Sequence, residues 1–223
     1  TETPRPEKLV VDFDTTVNRF PIDISGNFND GRFQGGAQYS PADKAFNFSG
    51  NQYIEGTSGL SGDPNCTVSW WMKLTSRTGT RVQFYIGGNP GTPRTGIGLF
   101  TTVASGSTAL NGTIYFESND FQMGGVLELN QWNHITFTHV PGTLSNTTVK
   151  VYLNGVQLVV THANTNPGSI SLTDSNLRIG GGNADGEYVD DSSQISNFKI
   201  YNVALEPSEV KKLYNLGRTG RSM

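Results

Sequence analysis

QWNHITFTHVPGTLSNTTVKVYLNGVQLVVTH, residues 131–162, carries three short runs of strand character in succession. Residues of opposite character alternate from Trp132 to His139 and again from Thr148 to Leu153, and Val156 to Val160 follows directly on Asn154-Gly155. A period of two marks a strand with one buried face. The Asn-Gly pair predicts a type I′ hairpin turn, because both central residues need positive φ, which glycine adopts freely and asparagine tolerates. That turn sets the register. It places Val149, Val151 and Leu153 on one side of the middle strand and Lys150 and Tyr152 on the other. The stretch predicts three antiparallel strands, one face in a core and the other open to solvent or ligand.

Outward from this centre the same pattern predicts strands over residues 8–13, 45–48, 53–54, 67–74, 81–86, 96–100, 112–118 and 125–129. One helix is predicted over residues 206–216. Pro207 suits its first turn, Glu209 complements its amino terminus and Gly217 supplies the stop. Val210, Leu213 and Tyr214 then share a face that lies against the sheets.

The chain has 223 residues, a length that suits one large β domain. A net charge of −3 offers no basic field for nucleic acid or an anionic membrane surface. Cys66 is the sole cysteine, which excludes an internal disulfide and any CxxC metal site. The sequence has no apolar run of the ~18 residues that a membrane-spanning helix needs. Residues 1–8 and 218–223 read as flanks of a module cut from a longer protein, leaving 9–217 as the domain.

Several segments in order carry a family resemblance: D-I-S-G-N-F-N-D-G at 23–31, A-F-N-F-S-G at 45–50, T-V-S-W-W-M-K at 67–73, W-N-H-I-T-F-T at 132–138, V-K-V-Y-L-N-G-V at 149–156, L-R-I-G-G-G at 177–182 and I-S-N-F-K-I-Y-N-V-A-L at 195–205. Together they resemble the laminin-G-like branch of the concanavalin A-like lectin/glucanase superfamily. The resemblance implies an all-β jelly-roll sandwich of two antiparallel sheets that binds glycans or proteins, often with calcium, and it does not imply catalysis. The expectation is a non-catalytic, lectin-like module of a larger extracellular, cell-surface or virion protein. An adhesion module contacting protein, and a diverged polysaccharide lyase or glycoside hydrolase, stand as alternatives.

Candidate residues follow from chemistry. Asp12, Asp14, Asp23, Asn27, Asn29 and Asp30 form the densest cluster of oxygen donors, and Asp23, Asn27 and Asn29 are the candidate Ca²⁺ ligands there. Adjacent Asp190 and Asp191 repel unless a cation offsets them, so they are candidates to complete that site. If Val68 and Met72 are in the core then Trp70 is too, and Trp71 faces outward, where an indole can pack against a pyranose ring or lie buried beneath a covering loop. Tyr85, Arg94 and Tyr115 join Trp71 as candidate ligand contacts, with Asn119 to Gln122 a loop of saccharide-binding composition. No strand carries the E-x-D-x-E of retaining glucanases, nor the R-x-E-L-R or Y-F-K-A-G motifs of lyases of this fold. His134 and His139 share a strand but lie five residues apart, on opposite faces, which argues against a common metal.

Overall fold

The computed structural model describes residues 2–75, 81–88, 92–103, 110–116, 118–181 and 193–218. In chain order the strands are β1 (Leu9–Phe13), β2 (Arg32–Gln34), β3 (Gln38–Ser40), β4 (Ala45–Phe48), β5 (Tyr53–Thr57), β6 (Cys66–Lys73), β7 (Arg81–Gly87), β8 (Gly96–Val103), β9 (Leu110–Tyr115), β10 (Asn119–Leu127), β11 (Trp132–His139), β12 (Val149–Leu153), β13 (Val156–Gln157), β14 (Thr161–Asn164), β15 (Asn176–Ile179) and β16 (Ser193–Tyr201). Helix α1 (Pro207–Arg218) follows. The first sheet runs β13-β12-β11-β6-β16-β4-β3, with β1 also on β16; the second runs β14-β10-β9-β8-β7-β15-β5-β2. Every pairing is antiparallel, giving the two-sheet sandwich expected.

The central hairpin forms as its sequence dictates. Asn154 and Gly155 have φ of 52° and 74°, and Leu153 pairs with Val156 across them. Val149 and Val151 point into a core that Trp70, Phe84, Phe137 and Phe198 fill from both sheets. Trp70 meets Phe84 edge-on at 4.8 Å and Phe84 meets Phe198 at 5.5 Å, geometries that suit the aromatic quadrupole. Full burial of each such ring contributes roughly 1.5–3 kcal/mol.

The outer face of the first sheet departs from expectation, since it is covered. Tyr152 and Tyr201 project outward and pack with Leu205, Val210 and Leu213, while Trp71 packs with Ala45, Trp132 and Tyr214. The covering element is α1. Its amino terminus is fixed where expected: the Glu209 carboxylate accepts the Glu206 N–H at 2.9 Å and, through its other oxygen, the Arg5 guanidinium at 2.7 Å. Burial works against the Glu209 charge, but these contacts outweigh it and hold the carboxyl below its ordinary range. The carboxyl terminus differs, because the helix continues through Gly217 to Arg218. A Cβ at Gly217 would lie 2.0 Å from Trp71 Nε1, so this glycine lets the helix cross the indole and is no stop.

Two further differences matter. Residues 119–122, read as a loop, open β10 and pair with β14; Asn119, Phe121 and Met123 are buried while Gln122 is exposed, an alternation hidden by polar composition. In β16, Asn197 has a φ of 49°, and the ladder to β6 slips between Ser196 and Lys199. This bulge falls where the other neighbour of β16 changes from β4 to β1.

Candidate functional site

The two outer faces of the sandwich differ in what they leave open. All eight residues of β11 are buried, outward ones included. The outer face of the second sheet instead keeps half-buried or exposed side chains along successive strands, among them Glu55, Arg178, Tyr115 and Gln122. Pairing sets Arg32 opposite Glu55, Glu55 opposite Arg178, Arg178 opposite Tyr85, Tyr85 opposite Gly98 and Gly98 opposite Tyr115. One row therefore crosses six strands. Its members alternate with Ile54, Leu177, Ile179, Phe84, Ile86, Leu99, Ile114 and Phe116 of the core, so the row points away from the interior.

Glycine shapes the middle of this row. A Cβ at Gly96 would lie 1.9 Å from Tyr85 Oη, and one at Gly98 would lie 3.3 Å from Cδ2, so the Tyr85 ring extends across β8 on a bed only glycines leave free. Tyr85 is 3% exposed and serves as floor. Around it, the Arg178 guanidinium lies 4.8 Å from the centre of the Tyr53 ring and 3.5 Å from Glu55, and Phe100 meets Tyr115 edge-on at 4.6 Å. Glu55, Tyr85, Asn176 and Arg178 line a shallow recess of about 30 Å³. The arrangement supplies a forked donor, a carboxylate acceptor and aromatic surface within one strip. Tyr85 and Tyr115 were legible candidates. Glu55, Arg178, Tyr53 and Phe100 were not singled out, although L-R-I at 177–179 carries the signal of a charged residue between two inward apolar ones.

The remaining candidates go elsewhere. Trp71 faces outward, as alternation requires, but it is 1% exposed and stacked on Tyr214 at 5.6 Å, so α1 occupies the ring face that a sugar platform would need. Arg94 is committed to a loop: its Nη1 donates to the backbone and side-chain oxygens of Asn166 at 3.1 and 2.6 Å, and its side chain lies against Gly168.

The Asp23 loop does not fit a calcium ion. Asp23 Oδ1 accepts the N–H groups of Asp12 and Ser25, both at 2.9 Å, and Oδ2 accepts the Asn29 N–H at 2.9 Å and the Ser25 hydroxyl at 2.8 Å. Four donors thus saturate the carboxylate. Asn27 and Asn29 donate their amides to the Leu9 and Val10 carbonyls, tying the loop to β1. Asp190 and Asp191 lie outside the described residues. Among the described residues no three His, Cys, Asp or Glu side chains converge to hold a metal.

The histidines occupy three separate settings. His134 faces outward beside Trp71, its Nε2 2.9 Å from Ser69 Oγ, while the fully buried His139 donates from Nδ1 to the Pro64 carbonyl at 2.6 Å with Asp63 3.6 Å from Nε2. Burial lowers the His139 pKa against the opposing pull of Pro64 and Asp63. His162 stacks on Phe121 at 4.3 Å. Cys66 is fully buried, and burial, aided by Asp63, pushes its thiol up to about 12, which keeps it protonated and unreactive.

The sandwich defines an all-β class of binding and glucanase domains, and comparison places the chain within it. Residues 48–211 match the Laminin_G_3 family of the concanavalin A-like lectin/glucanases superfamily, and the chain belongs to that family. Comparison with curated proteins gave no match. Among solved structures, the fold is similar to domain 4 of AbnA, a GH43 extracellular arabinanase from Geobacillus stearothermophilus solved with arabinotriose: TM-score 0.67, 22% identity, covering 93% of this chain and 98% of that one. It is also similar to the botulinum neurotoxin serotype D ligand binding domain solved with N-acetylneuraminic acid, at TM-score 0.68, 16% identity and 96% of this chain. The binding domain of Paraclostridial Mosquitocidal Protein 1 gives TM-score 0.68, 18% identity and 95% of this chain. The chain spans about half the length of these two binding domains, 52% and 53% respectively.

Proposed function

We propose that this domain is a non-catalytic carbohydrate-binding module that takes an oligosaccharide across the outer face of its second sheet, within a larger extracellular or cell-surface protein. The observation that carries the reading is the transverse row from Arg32 through Glu55, Arg178 and Tyr85 to Tyr115, with Phe100 and Tyr53 beside it. Sugar hydroxyls pair with a guanidinium fork and a carboxylate, while the C–H faces of the rings rest on aromatic edges. Glu55 is the one carboxylate among the residues of this row, and it is engaged with Arg178, so the row does not present the acid pair that glycoside hydrolysis uses. The arabinotriose and N-acetylneuraminic acid in two structures of the same fold support the ligand class.

A glycan array probed with the wild-type domain, followed by calorimetry on its best ligand, tests the reading. Arg178→Ala should weaken binding at least tenfold, since a hydrogen bond from a charged group contributes about 1.5–3 kcal/mol, and Tyr115→Ala severalfold, since an aromatic contact contributes about 0.5–1.5 kcal/mol. Undiminished affinity in both variants, or an array with no ligand, overturns it.

A further inference from the structure

We propose a second, separate ligand site on the opposite sheet: a cleft beneath the carboxyl-terminal end of α1 that holds a single neutral sugar ring. The cleft has a volume of about 160 Å³, lined by Trp71, Leu213, Asn197, Lys199 and Asp14 among others. That volume is below the ~300–1,000 Å³ of pockets for drug-sized ligands and suits one ring rather than a chain.

Its chemistry comes from the β16 bulge. The left-handed conformation of Asn197 turns two side chains, Asn197 and Lys199, toward the same cavity, and such bulges commonly re-aim side chains beside functional sites. Asn197 Oδ1 accepts both the N–H and the hydroxyl of Thr15, at 3.1 Å each, which fixes the amide orientation. Its NH₂ group makes no hydrogen bond to any described residue. Lys199 is ion-paired with Asp12, leaving two of its three N–H donors, and Asp14 accepts the Thr16 N–H and hydroxyl on Oδ1 alone, leaving Oδ2. Donors from Asn197 and Lys199 and an acceptor from Asp14 thus line the cleft, and Trp71, 1% exposed and stacked on Tyr214, is its covered floor rather than a stacking platform. Lys199 is already balanced by Asp12, and Asp14 adds a negative charge, so the cleft disfavours an anion. Neutral hydroxyls that both donate and accept match this set.

The test is a titration of the ¹⁵N-labelled domain with D-glucose, D-galactose, L-arabinose and N-acetyl-D-glucosamine in turn, following the Trp71 indole N–H and the Asn197 side-chain amide by NMR. One of these sugars is expected to shift both signals with saturation. In Asn197→Asp, which keeps an acceptor for Thr15 and loses the NH₂ group, the affinity read from the indole signal should fall at least tenfold. Arg178→Ala, on the other sheet, should leave it unchanged. If Asn197→Asp does not fold, Asp14→Asn, which keeps Oδ1 for Thr16, is read in its place. The proposal is overturned if none of the four sugars shifts the Trp71 indole, or if the cleft variant retains full affinity. Because Arg178→Ala disables only the second-sheet face, failure of either site is seen independently of the other.

Discussion

Asp23 shows at the scale of a residue why oxygen-rich composition and a metal site are different things. Its carboxylate terminates four protein donors, two of them the N–H groups of Asp12 and Asn29 from separate segments. Asp23→Ala strands those groups at ~1–3 kcal/mol each, and at ~2–4 °C per kcal/mol for a domain of this size the melting midpoint should fall by several degrees. Calcium should not restore it; a calcium-dependent rise in the wild-type midpoint that Asp23→Ala abolishes would return the ion to this loop. His139 yields a pH prediction of definite sign. Its folded pKa lies below the ordinary 6.5, so the unfolded chain binds the proton more readily, and the stability contributed by the neutral, buried ring is present above 6.5 and lost as pH falls below it. Denaturant unfolding at pH 7.5 and 5.5 should show this loss in the wild type and a smaller one in His139→Asn, whose amide can still donate to Pro64. Equal losses would place the pH dependence elsewhere.

Helix α1 and the hairpin at Asn154 mark the limits of local reading at the scale of an element. The hairpin is legible because its determinants, Asn-Gly and the flanking alternation, lie within about ten residues. The helix start was equally local. Its end was not: Gly217 has the composition of a stop, yet it is required by an indole 146 positions earlier in the chain, a contact that no sequence window contains. Strands β2 and β3 went unread because three residues each, with mixed exposure, carry no period. The role of α1 as cover predicts that Leu213→Ala costs about 2–5 kcal/mol, as other buried leucine truncations do. Gly217→Ala should lift the helix end from Trp71, seen as a red shift of tryptophan emission. An unshifted spectrum with unchanged stability would mean that the helix end does not pack on Trp71.

Across the whole molecule, antiparallel strands followed from patterning and the two-sheet sandwich from the family resemblance, but the choice of functional face followed from neither. Trp71 and Tyr85 look alike in sequence, outward aromatics on long strands; one lies beneath a helix and the other floors an open row. That difference is decided by where the last helix docks and by cross-strand register among residues 55, 178, 85 and 115, far apart in the chain. The central claim is that a glycan lies on this row. It is tested most directly by mapping amide chemical shifts while the labelled domain is titrated with the best oligosaccharide from the array. A contiguous track through Glu55, Arg178, Tyr85, Gly98 and Tyr115 should shift and saturate with the calorimetric affinity. Saturating shifts confined to the loops or to the first sheet, with this row silent, would contradict it.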